Sequence, residues 1–150
     1  MPVDSKRALT FHLAGVAFIV SLDEIVEVVE DLQGLLDFER RDLGQGIVCA
    51  LSFRRAWIPA IDPALRLGLV HAAPLPDRVA LVLHSVEGVW ALLADRIGPL
   101  LGPAKLTPCD VPPLLKKLPG LLYSQILLAE GTPFVVFEPK RFYGFSQGAA

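Results

Sequence analysis

Five side chains in this 150-residue chain are of the kinds that carry nucleophilic or metal chemistry: Cys49, Cys109, His12, His71 and His84. Thiol catalysis needs one of the cysteines held beside an imidazole, and a metal needs ligands at close, regular spacing. The sequence holds no H-x-x-x-H, no C-x-x-C and no phosphate-cradling glycine loop. Cys49 lies in an apolar run, where a thiol behaves as a small buried hydrophobe. His12 and His84 each fall in mid-strand, where partial exposure explains them without catalysis. Asp62 and Asp95 read as structural, the first as a helix cap and the second at a strand end. The chemistry that stands out is of another kind, a pair of guanidinium groups, Arg54 and Arg55, between two apolar runs. Such a pair is within reach of a partner, provided that a rigid element holds it out of the core; the alternative is that it only keeps an apolar hairpin soluble.

That element is residues 47–62, IVCALSFRRAWIPAID. Apolar residues lead up to Arg54-Arg55 and a second apolar run leads away, so the stretch predicts two strands joined by a charged tip. Residues 9–13 alternate, which places Leu9, Phe11 and Leu13 on one face and Thr10 and His12 on the other. Ala14-Gly15 turns this strand into residues 16–20, making the first hairpin. Ser21-Leu22-Asp23-Glu24 has the S-x-x-E form of a reciprocal helix cap, and a short helical turn is expected there. The β-branched run Ile25, Val26, Val28, Val29, carrying Glu27, favours a strand. Residues 30–45 read as a connecting loop that touches the core.

Asp62-Pro63 opens a short helix that Gly68 can stop. A proline-bearing link, residues 71–77, leads to a third hairpin from residues 79–83 and 89–94. Residues 97–101 form a further strand, and four prolines between 103 and 113 then enforce an irregular path. Residues 122–129 and 134–137 flank Glu130-Gly131-Thr132 as a fourth hairpin, and residues 138–144 suggest a closing helical turn. The plan is all-β, about ten strands with short helices. Ten strands in one open sheet would leave long apolar edges, so closure into small barrels or a sandwich is expected. Each half of the chain holds two hairpins, without a detectable repeat.

The totals exclude several classes of function. The chain is 53% hydrophobic with a mean hydropathy of +0.50, so apolar surface beyond the core is expected to meet partners. No apolar run reaches the roughly 18 residues of a membrane-spanning helix. The start of the chain lacks the pattern of a signal peptide, and a cytoplasmic location is expected. Fourteen basic residues against 16 acidic, with no run of like charge longer than two, argue against nucleic acid. Two distant cysteines give no disulfide framework. No cofactor is implied, and the unusual residues are Glu27, Arg54 and Arg55 at expected surface positions and a C-terminal aromatic group of Phe134, Phe142, Tyr143 and Phe145, for which core packing is the alternative and the favoured reading at Phe134. Aromatic anchors with a few orienting charges suit protein binding.

The order of these segments resembles the CheW-like domain of bacterial chemotaxis coupling proteins and kinase regulatory domains. The likeness covers residues 8–144. It rests on LTFHLAGVAFIV (9–20), on IVEV (25–28) against the family's V-x-E-I, and on Phe53-Arg54 with Trp57-Ile58-Pro59-Ala60-Ile61-Asp62 against N-L-R-G-x-x-x-P-x-x-D. Leu67-Gly68, VWALLADRI (89–97) and Glu130-Gly131 with residues 134–137 continue it in order. The resemblance implies one domain of two five-stranded SH3-like β-barrels on a shared core, no enzymatic activity, and a bridge between a methyl-accepting chemoreceptor tip and a histidine kinase regulatory domain. It also implies that Arg54, Ile25, Glu27 and Val28 meet a partner, with Phe134 and Phe137 near a second contact. The chain departs from the family at Arg55, where the family has glycine, at Ser52 for its asparagine, and at Pro63-Ala64 after Asp62. A cysteine-dependent enzyme and a ligand-binding barrel unrelated to chemotaxis are the rival readings.

Overall fold

Apolar side chains recurring at every second position, punctuated by turn residues, give twelve β-strands among the described residues of the computed structural model, 7–64, 74–85, 88–109 and 126–139. They are β1 (Ala8–Leu13), β2 (Val16–Ser21), β3 (Ile25–Val29), β4 (Leu36–Asp37), β5 (Ile47–Phe53), β6 (Ala56–Ile61), β7 (Val79–Ser85), β8 (Gly88–Ala94), β9 (Arg96–Leu101), β10 (Thr107–Cys109), β11 (Ile126–Ala129) and β12 (Thr132–Val136). One sheet runs β10-β11-β12-β2-β1-β9 and the other β3-β7-β8-β6-β5-β4. The all-β expectation holds, with six strands per sheet instead of five, because the short edge strands β4 and β10 join each side. Neither sheet closes by hydrogen bonds among the described residues, since the end strands β10 and β9, and β3 and β4, are not paired.

The two sheets are nested and do not divide the chain into halves. β3 to β8 form the second sheet without interruption, while the first combines β1 and β2 with β9 to β12. Hairpins one and four therefore share a sheet, and hairpins two and three share the other. Two parallel pairings, β12 with β2 and β6 with β8, make this possible.

Because both sheets are apolar on both faces, the core has three layers. Ala8, Ile19, Leu127, Ala129, Phe134 and Val136 lie inside the first sheet, and Cys49, Leu51, Phe53, Ile58, Val82 and Leu93 lie inside the second. Between them is a shared layer in which Phe11, Phe18 and Phe137 pack with Leu81, Leu83, Trp90 and Leu92. Phe11 stacks on Phe18 at 5.1 Å, and Phe137 meets both rings edge-on. Burying an aliphatic or phenyl side chain contributes roughly 1.5 to 3 kcal/mol, so this middle layer is what joins the two sheets.

A polar clamp reinforces that junction. Arg78, just before β7, lies 2.6 Å from Asp62 at the end of β6 and 3.7 Å from Asp95 after β8. Asp95 in turn accepts a hydrogen bond from the Ala14 amide at 2.9 Å, in the β1–β2 turn. Asp62 also accepts from the Ala64 amide at 3.0 Å, which fulfils the expected cap, and Pro63 and Ala64 are helical. The S-x-x-E cap does not form. Leu22–Glu24 is a 3-10 turn, but Ser21 is still extended and buried as the last residue of β2, and its hydroxyl makes no capping bond. Gly68, His71, residues 122–125 and the aromatic residues Phe142, Tyr143 and Phe145 lie outside the described residues.

Candidate protein-docking site

β5 and β6 pair in register down to Phe53 opposite Ala56, leaving a two-residue tip of Arg54 and Arg55. A two-residue turn of type I′ matches the strand twist and requires positive φ at both positions. Arg54 has φ +50° and Arg55 φ +68°. The same geometry recurs at Ala14-Gly15 (φ +52° and +83°) and at Glu130-Gly131 (φ +51° and +83°), each with glycine second. Arg55 takes the glycine position with a full side chain. A left-handed backbone costs an L-residue about 1 to 2 kcal/mol, so the tip is strained relative to its two counterparts.

The neighbouring strand β3 carries an irregularity that aims Glu27 outwards. Its register against β7 shifts between Ile25 and Glu27, as an extra residue in a bulge produces. Ile25 and Val28, three positions apart, consequently both pack against the shared layer, while Val26 and Val29 pack inside the second sheet. Glu27 is left exposed, and its Oε1 accepts from Arg54 Nη2 at 3.1 Å. β3 and β5 are four places apart in the sheet order, a distance of about 19 Å in a flat sheet at the usual strand spacing. The ion pair can exist only because the sheet curls nearly into a barrel, bringing the hairpin tip back over its first strand.

Arg54 also lies over the Phe53 ring, 4.8 Å from its centre. Both partners of the ion pair are well exposed, at 65% and 47%, so the pair adds at most about 1 kcal/mol to stability. Arg55 is exposed and makes no hydrogen bond, ion pair or ring contact among the described residues. Further along the same limb, Trp57 is 46% exposed, with the Arg40 guanidinium 5.1 Å over its ring. Arg40 is itself held by Asp37 at 3.0 Å. Trp57 was legible as an outward residue, since Ile58 and Ala60 take the inward positions of β6, but its position within an apolar run concealed it.

The remaining site expectations separate by burial. Ile25 and Val28 are half-buried and serve the core as much as any surface. Phe134 and Phe137 are buried, one inside the first sheet and one in the shared layer. β12, which carries Phe134 and leads into Phe137, is an interior strand with packed residues on both faces, so both rings serve the core.

The groups capable of catalysis stay apart. Burial, with lesser contributions from Asp62 and Asp37, pushes the Cys49 thiol up to about 11. Cys109 is half-buried at the end of β10 and packs against the shared layer. His12 titrates below the ordinary 6.5, through burial and then the Arg96 charge, while His84 is exposed. No hydrogen bond among the described residues joins a thiol to a histidine, and no group of three metal-ligating side chains occurs among them. A hollow of about 190 Å³ beside β9 and β12 is lined by Leu101, Ala129 and Phe134 with Lys105 and Glu130, and holds neither thiol nor imidazole. Gly144-Phe145-Ser146-Gln147-Gly148 spells the G-x-S-x-G pattern of a nucleophilic serine and lies outside the described residues. That pattern works at a strand-to-helix turn above an α/β sheet, and the described residues supply no such frame. None of the described residues forms a helix long and apolar enough to cross a membrane.

No protein-family model matches the sequence, and no curated protein matches it. Among solved structures, the chain is similar to the scaffolding protein TtCheW from Thermoanaerobacter tengcongensis, with a TM-score of 0.71 and 17% identity over 89% of each chain. The fold is CheW-like.

Proposed function

We propose that this protein is a non-catalytic adaptor, which couples a methyl-accepting chemoreceptor tip to the regulatory domain of a histidine kinase in the cytoplasm. The observation that carries this reading is the ion pair between Glu27 and Arg54 on an exposed hairpin tip of a CheW-like fold. The pair adds little to stability, yet a bulge in β3 turns Glu27 outwards to meet the hairpin tip. An exposed charge pair of this kind suits orientation at an interface. Mechanically the adaptor holds two partners in fixed register: the β5–β6 hairpin presents the charges, and the shared apolar layer joins the sheets that carry them. The cysteine-enzyme reading is disfavoured by Cys49, whose thiol is neutral at physiological pH.

Co-purification of the tagged full chain with the histidine kinases and receptors of its host tests this. Capture of a kinase regulatory domain together with a receptor is expected. A protein that captures neither, while remaining folded, is not an adaptor of this kind.

A further inference from the structure

We infer that Arg55 and Trp57, on the outgoing limb of the β5–β6 hairpin, form a two-point anchor that selects the kinase partner by a carboxylate beside an apolar patch. This rests on the adaptor reading and adds to it the residues that decide which partner is accepted.

Three observations converge on the limb. First, the three two-residue tips of the described chain share one backbone geometry, and two of them put glycine, Gly15 or Gly131, at the second position. Arg55 occupies that position with φ +68° and makes no hydrogen bond, ion pair or ring contact among the described residues. A strained residue without an internal partner points to an external one. Secondly, the charge next to it is already satisfied: Arg54 is engaged by Glu27 and lies over Phe53. Arg55 is thus the uncompensated cation of the tip, and its complement is an Asp or Glu. Thirdly, Trp57 stands two residues on, half exposed, with the Arg40 guanidinium over its ring and Asp37 paired to Arg40. A large exposed aromatic offers wide contact area, and tryptophan and arginine are among the residues enriched at the energetic centre of an interface.

The test uses the full chain and a purified histidine kinase regulatory domain from the same host, titrated at low and at high salt. Arg55→Gly removes the guanidinium and relieves the strain, so a loss of binding cannot be put down to a loss of folding. Expected results are a higher melting temperature, a Kd about tenfold weaker at low salt, and a difference that shrinks at high salt. Trp57→Ala should weaken binding by a similar factor at both salt concentrations, and Arg55→Lys should restore most of the low-salt affinity. Unchanged binding by both Arg55→Gly and Trp57→Ala, with the wild type still binding, overturns the anchor and leaves the adaptor role standing. A wild type that binds no kinase overturns the adaptor role, and this contact falls with it.

Discussion

Arg78 lies 2.6 Å from Asp62 with both side chains almost sealed from solvent, at 6% and 9% exposure. The pair sits where the two sheets meet, and through Asp95 it reaches the turn between β1 and β2. Removing the arginine strands two carboxylates in a place built to neutralise them. Arg78→Ala should therefore lower unfolding free energy by roughly 3 to 5 kcal/mol, read as a shift in urea midpoint. A loss below about 1 kcal/mol would mean that solvent reaches Asp62 freely.

The hairpin tip makes the opposite prediction. Glycine at position 55 adopts the observed φ without the penalty that arginine carries, although it loses more chain entropy on folding. The balance favours Arg55→Gly by about 0.5 to 1 kcal/mol, a rise of roughly 2 °C in melting temperature. Calorimetry on the two proteins is sufficient, and a lower melting temperature would show that the tip is not strained.

Arg54→Ala separates folding from recognition. The exposed pair with Glu27 is worth no more than about 1 kcal/mol to the fold, so the unfolding midpoint should barely move. Partner binding should weaken by roughly 1 to 3 kcal/mol, measured by titration against the captured kinase domain. Equal binding by variant and wild type removes Arg54 from the interface.

Gly98 opposes Thr10 across β1 and β9, where a bulge interrupts the register and the Thr10 hydroxyl donates to the Pro99 carbonyl at 2.9 Å. A Cβ at position 98 would collide with Thr10 Oγ1. Gly98→Ala should cost about 1 to 3 kcal/mol, and adding Thr10→Ala should recover part of it, a coupling that a double-mutant cycle measures. Simple additivity would place the two residues out of contact.

Two titrating groups give opposite pH slopes. The Cys49 thiol ionises near 9.0 when unfolded and at about 11 when folded, so the unfolded chain loses its proton first. Its contribution is whole below pH 9 and is lost as pH climbs towards 11, and Cys49→Ala should flatten that decline. His12 is lowered below 6.5 by burial and by Arg96, so its contribution is whole above pH 6.5 and falls as acid protonates the unfolded chain first. Urea melts at pH 5.5, 7, 9 and about 10.5, compared between wild type, His12→Gln and Cys49→Ala, read both slopes. Neutral-pH alkylation of native Cys49 should also be far slower than that of a free thiol.

Alternation and turn chemistry are local properties, and the amino-acid order alone settled what depends on them. Leu9, Phe11 and Leu13 share a face, Ala14-Gly15 and Glu130-Gly131 turn the chain, and Asp62 caps the residues after it. The Arg54-Arg55 tip and the all-β plan follow from the same periodicity. A period of two says which face a side chain takes, but it does not say which sheet receives the strand. Only the tertiary structure decided that hairpins one and four share a sheet, that β12 is interior and buries Phe134, with Phe137 buried just beyond it, and that a bulge in β3 turns Glu27 outwards. Glu27 and Arg54 are 27 residues apart and meet because a curling sheet returns its fifth strand to its first. Such a meeting depends on the closure of the whole sheet, a long-range packing outcome that no window of sequence contains.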